Sequence, residues 1–192
     1  AAGESSNQIF LVGYPGGAVR RLTNDLSSYF GLGVAPDGRS FVAIRNERRS
    51  AIWTMPTNDS AKAAAITDGA SADEGGYGIA WTPDGRIVYT TEASGNPDIW
   101  IMNADGSRRV QLTSNPGLDI FPRVTHDGRH IVFVSDRDGS PRGWRMALDG
   151  SGAIQLTPEP VGRYRITISS DDKWIYYDNT KGEARKGPID GG

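Results

Sequence analysis

The chain has 192 residues, of which 37% are hydrophobic and 23% charged, with 25 glycines, 11 prolines, no cysteine and a formal net charge of −2. This composition excludes a disordered chain, a strongly basic nucleic-acid-binding surface, disulfide scaffolds and cysteine-based zinc sites. No apolar run approaches the roughly 18 residues of a membrane span, and residues 1–7 lack the basic and apolar regions of a signal peptide. We therefore expect no membrane insertion within this chain.

Three short motifs recur in a fixed order, with a period of about 44 residues. The first is a turn that follows an apolar strand and carries an aspartate: Asp37, Asp84, Asp127 and Asp171. The second is an aromatic-centred strand: Phe10, Trp53, Trp100 and Trp144. The third is a closing Leu/Ile-Thr pair that ends in Thr23, Thr67, Thr113 or Thr157. Three independent markers with one period predict a repeat protein.

Each period divides into four short strands, which we name A to D in chain order. Asp-Gly turns between apolar strands predict hairpins, because glycine supplies the positive φ that tight turns need. The nearly continuous apolar B strands are typical of sheets covered on both faces, as the blades of a propeller are. We predict an all-β fold, a single β-propeller domain of four-stranded antiparallel blades. Its repeats are a partial one at about 8–23, complete ones at 28–67, 75–113 and 119–157, and a partial one at 163–191.

The turn Pro83-Asp84-Gly85-Arg86, the hairpin at 135–139 and the segment 98–107 resemble the TolB-type repeat, a Pro-Asp relative of the WD repeat. The resemblance covers the chain from about Asn7 onward. It implies a propeller that binds a protein or peptide without catalysis, as a scaffold or sensory module. Such repeats occur in periplasmic TolB, in bacterial signalling proteins and in the propellers of prolyl-oligopeptidase-like enzymes. An extracytoplasmic location is favoured by this resemblance alone.

The chain starts out of phase, with strands C and D, and ends with strands A and B followed by a degraded strand C at 185–191. The terminal A and B strands could join the initial C and D strands and close a four-bladed ring. Alternatively, the chain is an incomplete ring, part of a six- to eight-bladed propeller, and we favour this interpretation. Because an open arc exposes the apolar faces of its end blades, we expect a homodimer that completes the ring, or edge pairing between chains.

Catalytic constellations are scarce in the sequence, and we predict neither catalytic residues nor a cofactor. His126 and His130 have a spacing that suits a metal only on a helix, and here they flank a strand hairpin. The alternating carboxylates at 136–139 lack the ligands of a calcium loop. The turn aspartates are expected to accept hydrogen bonds from nearby backbone amides. We predict no metal site.

In a propeller, the loops between strands D and A and between strands B and C open onto one rim, where partners commonly bind. The residues that we predict to contact a protein or peptide partner on this rim are Tyr29, Arg48, Tyr77, Glu92, Asp119, Asp136, Arg137, Arg163 and Tyr164. The tyrosines could instead pack at the starts of strands. Two other functions remain open: a propeller hydrolase or the accessory domain of a peptidase-like enzyme, and a purely structural fragment.

Overall fold

A computed structural model describes residues 7–23, 28–46, 49–69 and 73–191, with only the backbone at positions 163 and 164. The described residues form β-strands apart from turns, loops and one 3-10 turn at Ser60–Lys62. They fall into two compact units, Ala1–Arg48 and Arg49–Gly192.

The first unit contains two antiparallel strand pairs. One pair is β1 (Phe10–Val12) with β2 (Val19–Arg21), and the other is β3 (Ser28–Val34) with β4 (Phe41–Asn46). Strand β3 carries a bulge between Phe30 and Gly33, where Gly31 has a φ of 59°. Glycine suits this bulge because it has no Cβ to oppose positive φ.

The second unit begins with a strand pair and continues with three larger sheets. The pair is β5 (Trp53–Thr54) and β6 (Ala64–Ala65). The first four-stranded sheet comprises β7 (Ile79–Trp81), β8 (Arg86–Thr91), β9 (Asp98–Asn103) and β10 (Val110–Gln111). The second comprises β11 (Asp119–Val124), β12 (His130–Ser135), β13 (Arg142–Ala147) and β14 (Ile154–Gln155). The last sheet has three strands: β15 (Val161–Ile168), β16 (Trp174–Asn179) and β17 (Ala184–Pro188).

The four-stranded antiparallel blades predicted from the sequence are confirmed by the two sheets β7–β10 and β11–β14, in which each strand pairs with the next. The repeat predicted at 28–67 differs. Its A and B strands pair as β3–β4 and its C and D strands as β5–β6, in two separate sheets. Within the second unit, two four-stranded blades are complete.

The degraded strand C predicted at 185–191 is present as β17, which pairs antiparallel with β16. Strand β17 therefore occupies the edge of β16 where strand C of an ordinary blade lies. Gly191 places its α-carbon against Ile154 of the preceding blade, as Gly150 does against Leu112. The turn after β17 thus packs like the C–D turn of an ordinary blade.

The hydrophobic core of the second unit lies between successive sheets. Val132 and Val134 of β12 pack with Ile175 and Tyr177 of β16, and all four are buried. A second cluster joins β8 and β9 to β12 and β13, and a third joins Ile52 to β8 and β9, the two central strands of the β7–β10 blade. Each sheet thus buries apolar surface only by stacking on its neighbours, as expected for propeller blades.

The first strand of the β7–β10 blade is less well covered than its central strands. Trp81 of strand A is 58% exposed. Within the second unit, the sheet that precedes this blade consists only of β5 and β6. That pair packs through Ile52 and Ile66 on the central strands β8 and β9, where Tyr89 and Met102 lie, and not on β7.

The closing threonine of each repeat has one structural role. Its hydroxyl accepts a hydrogen bond of 2.8–2.9 Å from the backbone N–H at the start of strand C. The four pairs are Ile9–Thr23, Ile52–Thr67, Ile99–Thr113 and Gly143–Thr157. This contact satisfies a backbone donor at the strand end, which is why the threonine recurs with the period.

Three of the turn aspartates accept a hydrogen bond of 2.9–3.2 Å from the backbone N–H two residues later, as expected: Asp37, Asp127 and Asp171. At Asp84 the partners are side chains. Hydrogen bonds from Arg86 and Thr82 lower the pKa of Asp84 to about 2. These carboxylates therefore shape turns.

Candidate functional site

In the second unit, the loops between strands D and A lie beside the loops between strands B and C of the preceding blade. The amide of Asn96 donates hydrogen bonds to the carbonyls of Asn115 (3.1 Å) and Gly117 (2.7 Å). The backbone N–H of Asp119 donates to the carbonyl of Pro97 at 2.8 Å. We call the loops 92–97, 114–119, 136–142, 158–160 and 178–183 the loop rim.

The loops between strands D and A also contact the B–C loop of the blade that follows them. Asp136 Oδ1 accepts a hydrogen bond from the backbone N–H of Leu118 at 2.7 Å. At the next interface between blades, the backbone N–H of Val161 at the start of β15 donates to the carbonyl of Pro141, in the B–C loop of the preceding blade, at 2.8 Å. Hydrogen bonds thus connect the loop rim across three blades, so its side chains are held by a rigid scaffold.

Arg137 is the central polar contact of the loop rim. Its guanidinium donates to Asp119 Oδ1 at 2.9 Å and to the Ser135 hydroxyl at 2.9 Å. The guanidinium carbon also lies 4.7 Å from the ring centroid of Trp144 and 5.3 Å from that of Phe133. Asp119 is fully buried, and a buried carboxylate requires such a charged partner. Arg137 is therefore chiefly a structural clamp.

A second buried carboxylate lies close to this clamp. Asp98 accepts hydrogen bonds from the side chains of Ser94 at 2.6 Å, Gln111 at 3.1 Å and Thr113 at 3.1 Å. Burial raises the pKa of Asp98, and the nearby charge of Asp119 raises it further against these hydrogen bonds. The residue fixes the B–C loop to strands C and D and presents no free carboxylate to solvent.

Two aromatic side chains lie next to the loop rim, where strands A begin. The rings of Tyr77 and Phe121 meet edge to face, with centroids 6.4 Å apart and planes at 78°. The backbone N–H of Phe121 donates to the carbonyl of Tyr77 at 2.7 Å. Phe121 has a φ of 55°, which is strained for an aromatic residue, and it lies in the bulge of β11. Both side chains are only partly buried.

The structure brings together five of the nine residues predicted to bind a partner. Tyr77, Glu92, Asp119, Asp136 and Arg137 lie on or beside the loop rim of the second unit. Of these, Asp119 is buried and Arg137 clamps it, so neither is a free contact residue.

The remaining four predicted residues lie elsewhere or are only partly described. Tyr29 is on β3 of the first unit, where it pairs with Arg45. Arg48 falls outside the described residues. Arg163 and Tyr164 are within β15, and only their backbone is described.

Sequence reasoning missed Phe121, Asp98 and the two asparagines Asn96 and Asn115. Phe121 occupies a position that is glycine in the first unit, Gly31, and the two residues share the same bulge and positive φ. Aligning strand A across the repeats could have identified this aromatic at a glycine position. The asparagine contacts depend on the packing of two loops about 20 residues apart, which leaves no periodic signal.

The two histidines have protein partners. His126 Nδ1 lies 2.8 Å from Asp172 Oδ1, and His130 Nε2 lies 3.2 Å from a guanidinium nitrogen of Arg145. Among the described residues, no three acidic, histidine or cysteine side chains are grouped so as to hold a metal ion. No helix in the described part of the chain is long and apolar enough to cross a membrane.

Antiparallel four-stranded sheets that stack face to face with a period of about 44 residues define the β-propeller class. The family model of the TolB β-propeller domain matches residues 76–187, more than half of the chain. The chain belongs to this family.

The chain is similar to three further proteins. A protein of Agrobacterium fabrum is 34% identical over 123 residues, 62% of this chain and 40% of the relative. The Tol-Pal system protein TolB of Anaeromyxobacter dehalogenans strain 2CP-C is 36% identical over 89 residues, 45% of this chain and 19% of the relative. The crystal structure of TolB from Acinetobacter baumannii has a TM-score of 0.57 and 22% identity, covering 94% of this chain and 49% of that one. The chain thus spans less than half the length of the two sequence relatives.

Proposed function

We propose that this chain is a non-catalytic module that binds a protein or peptide partner on the loop rim. The observation that carries the proposal is the hydrogen-bonded band of loops across three blades, with the half-buried Tyr77–Phe121 pair beside it. Partly exposed aromatics on a rigid support, surrounded by polar groups, are typical of protein-binding surfaces. The sequence relatives named TolB belong to a Tol-Pal system, which agrees with a role in protein assembly.

The charge of the loop rim indicates which partners it favours. Its carboxylates are Glu92, Asp119, Asp136, Asp138, Glu159, Asp178 and Glu183. Its cations are Arg137, Arg142 and Lys181, and two of these are engaged within the protein. Arg137 binds Asp119, and Arg142 donates to the carbonyl of Pro158. Three of the carboxylates are paired as well, Asp119 with Arg137 and both Glu159 and Glu183 with Arg185. Acidic residues still outnumber basic ones here, which favours association with a cationic segment and makes it sensitive to salt.

A peptide library displayed on phage, selected against the immobilised chain, tests this proposal. Selected peptides are synthesised, and their affinity is measured by fluorescence anisotropy. We expect Tyr77→Leu to weaken binding about tenfold, because an aromatic anchor at an interface contributes more than 1 kcal/mol. We expect Asp138→Asn to weaken binding in low salt and to have less effect in high salt.

The matched control is Asp149→Asn, which neutralises the aspartate of the Asp-Gly turn at the other end of β13, between strands C and D. Its affinity should equal that of the unmodified chain. Equal binding by all three variants, or loss only in Asp149→Asn, would place the partner away from the loop rim.

We further propose an extracytoplasmic location and the absence of enzymatic activity, both as implied by the family. The alternative, a propeller hydrolase, requires titratable groups that face a substrate. Asp98 at the start of β9, and Asp119 and Glu159 of the loop rim, instead serve hydrogen bonds and ion pairs within the protein. Robust turnover in a hydrolase screen with added divalent metals would contradict the non-catalytic proposal.

A further inference from the structure

Aspartate followed by glycine recurs along the sequence, mostly in the turns between strands. One of these pairs, Asp138-Gly139, lies in the B–C loop of the β11–β14 blade, where the N–H of Gly139 donates to the carbonyl of Asp136 at 2.7 Å. The glycines of five further pairs donate to the carbonyl three residues earlier in the same way: Gly38, Gly85, Gly106, Gly128 and Gly150. The backbone hydrogen bond of the turn therefore does not distinguish Asp138-Gly139 from the others.

The side chain of Asp138 does distinguish this turn. In the other pairs the aspartate carboxylate interacts with the protein: Asp37, Asp68, Asp84, Asp105, Asp127, Asp149 and Asp190. At the other end of β13, for example, Asp149 Oδ1 accepts hydrogen bonds from the backbone N–H of Ser151 at 2.9 Å and from its hydroxyl at 2.6 Å. Asp138 is exposed, and none of the described residues donates a hydrogen bond to it. Its carboxylate is therefore free to rotate in solvent.

The glycine of this pair is unhindered as well. A Cβ built on Gly139 would meet no atom within 4 Å, whereas one on Gly150 would lie 2.9 Å from the carbonyl oxygen of Leu112 in the preceding blade. Gly38 and Gly85 also face open space, but the carboxylates beside them are hydrogen-bonded. Among the described Asp-Gly pairs, Asp138-Gly139 alone combines an open glycine with a carboxylate that the protein does not hold.

We propose that Asp138-Gly139 is a site of spontaneous modification, at which aspartate isomerises to isoaspartate. The backbone nitrogen of Gly139 attacks Cγ of the protonated Asp138 carboxyl, and the carboxyl hydroxyl leaves as water with the amide proton. Water then opens the resulting five-membered succinimide. Cleavage between the nitrogen and Cγ regenerates aspartate, and cleavage between the nitrogen and the original backbone carbonyl gives isoaspartate. The net reaction consumes no cofactor and leaves the mass unchanged.

Both features of the turn act on the first step. The carboxyl must rotate toward the following nitrogen, and the hydrogen bonds that hold Asp149 oppose this rotation. The turn must also open locally, and contacts with a neighbouring blade oppose this opening at Gly150. The product carries an extra methylene group in the backbone next to Arg137. An effect on partner binding rests on the function proposed above, whereas the modification itself is measured without a partner.

Prolonged incubation of the folded full chain at physiological temperature, followed by proteolysis and peptide mass spectrometry, tests the site. Isoaspartate is recognised by altered retention at unchanged mass and by its characteristic backbone fragments. We expect isomerisation at Asp138 to be about tenfold faster than at Asp149, because hydrogen bonds to the charged group hold the latter. Equal rates at the two positions would overturn the proposal. So would an unmodified Asp138 under conditions in which a free peptide of residues 134–143 isomerises.

The same incubation in concentrated urea separates the effect of the fold from that of the neighbouring sequence. In the unfolded chain, Asp138 and Asp149 should isomerise at similar rates, and a preference for Asp138 that persists there would overturn its assignment to the structure. Asp138→Ser is the control for peptide identity and should remove the modified species. Serine suits this turn because Ser94 precedes the corresponding Gly95 in the preceding blade. Asp138→Asn is unsuitable, because asparagine before glycine forms the same ring.

Discussion

At the scale of single residues, two residues that differ from the repeated turn sequence contact each other. His126 stands where other repeats have Pro36 or Pro83, and Asp172 stands where they have glycine. Between the two preceding blades, the α-carbon of Gly128 faces the ring of Pro83. A side chain at position 128 would fit only if this ring moved. At the next interface, the Asp172 carboxylate instead accepts hydrogen bonds of 2.9 Å from the backbone N–H groups of His126 and Asp127. A proline at position 126 could not donate the first of these.

These two residues should therefore behave as a coupled pair. We expect His126→Pro alone and Asp172→Gly alone each to lower the free energy of unfolding. The double variant restores the Pro and Gly of the other repeats, so it should be more stable than the sum of the single effects predicts. We expect a coupling of about 1 kcal/mol, measured by urea denaturation. Additive effects would show that the pair is not a unit.

At the scale of the strand, the closing threonine connects strand D to strand C. Thr157 is fully buried, and its hydroxyl accepts the N–H of Gly143 at 2.9 Å. In the same blade, the N–H of Leu156 donates to the carbonyl of Gly143 at 2.7 Å. Strand D pairs with strand C through only two residues, so these bonds form a large share of its attachment.

We expect Thr157→Val to lower the free energy of unfolding by about 1–3 kcal/mol, because it leaves the buried N–H of Gly143 without an acceptor while preserving side-chain shape. Urea denaturation measures the change. Thr180→Val is the control: Thr180 is exposed on a loop, and its replacement should change stability by less than about 0.5 kcal/mol. Equal effects of the two substitutions would contradict this role of the threonine.

At the scale of the whole molecule, the last blade exposes the face that other blades bury. Val88 and Val132 lie on the second strands of their blades and are fully buried by the blade that follows. Tyr176 holds the same register position in β16 and is 44% exposed, and Trp174 beside it is 36% exposed. The ammonium of Lys186 lies 3.8 Å from the Trp174 ring centroid. Exposed aromatics on a sheet face favour association.

We therefore expect the chain to form homodimers in solution, as proposed from the sequence, with an apparent mass in sedimentation velocity that rises with concentration. Tyr176→Glu should shift the equilibrium toward the monomer, because a charge on this face opposes its burial. Lys181→Glu, an exposed change on the loop rim, should not. A monodisperse monomer at every concentration would contradict the expectation.

The sequence by itself determined the strands, their order and the roles of the turn aspartates, because these depend on contacts within one repeat. The period of about 44 residues was sufficient to define the blades β7–β10 and β11–β14 and to locate the loops that carry Glu92 and Asp136. The fold class and the position of these loops within each repeat were therefore predictable.

Only the tertiary structure decided which polar groups are satisfied. Arg137 pairs with Asp119 across 18 residues and Arg109 with Glu74 across 35, and neither spacing follows the period. It also revealed the strained backbone of Phe121 and the division of the repeat at 28–67 between two units. The physical reason is that strands and turns are fixed by local geometry, whereas a buried charge is stabilised only by whichever side chain the neighbouring sheet brings within reach.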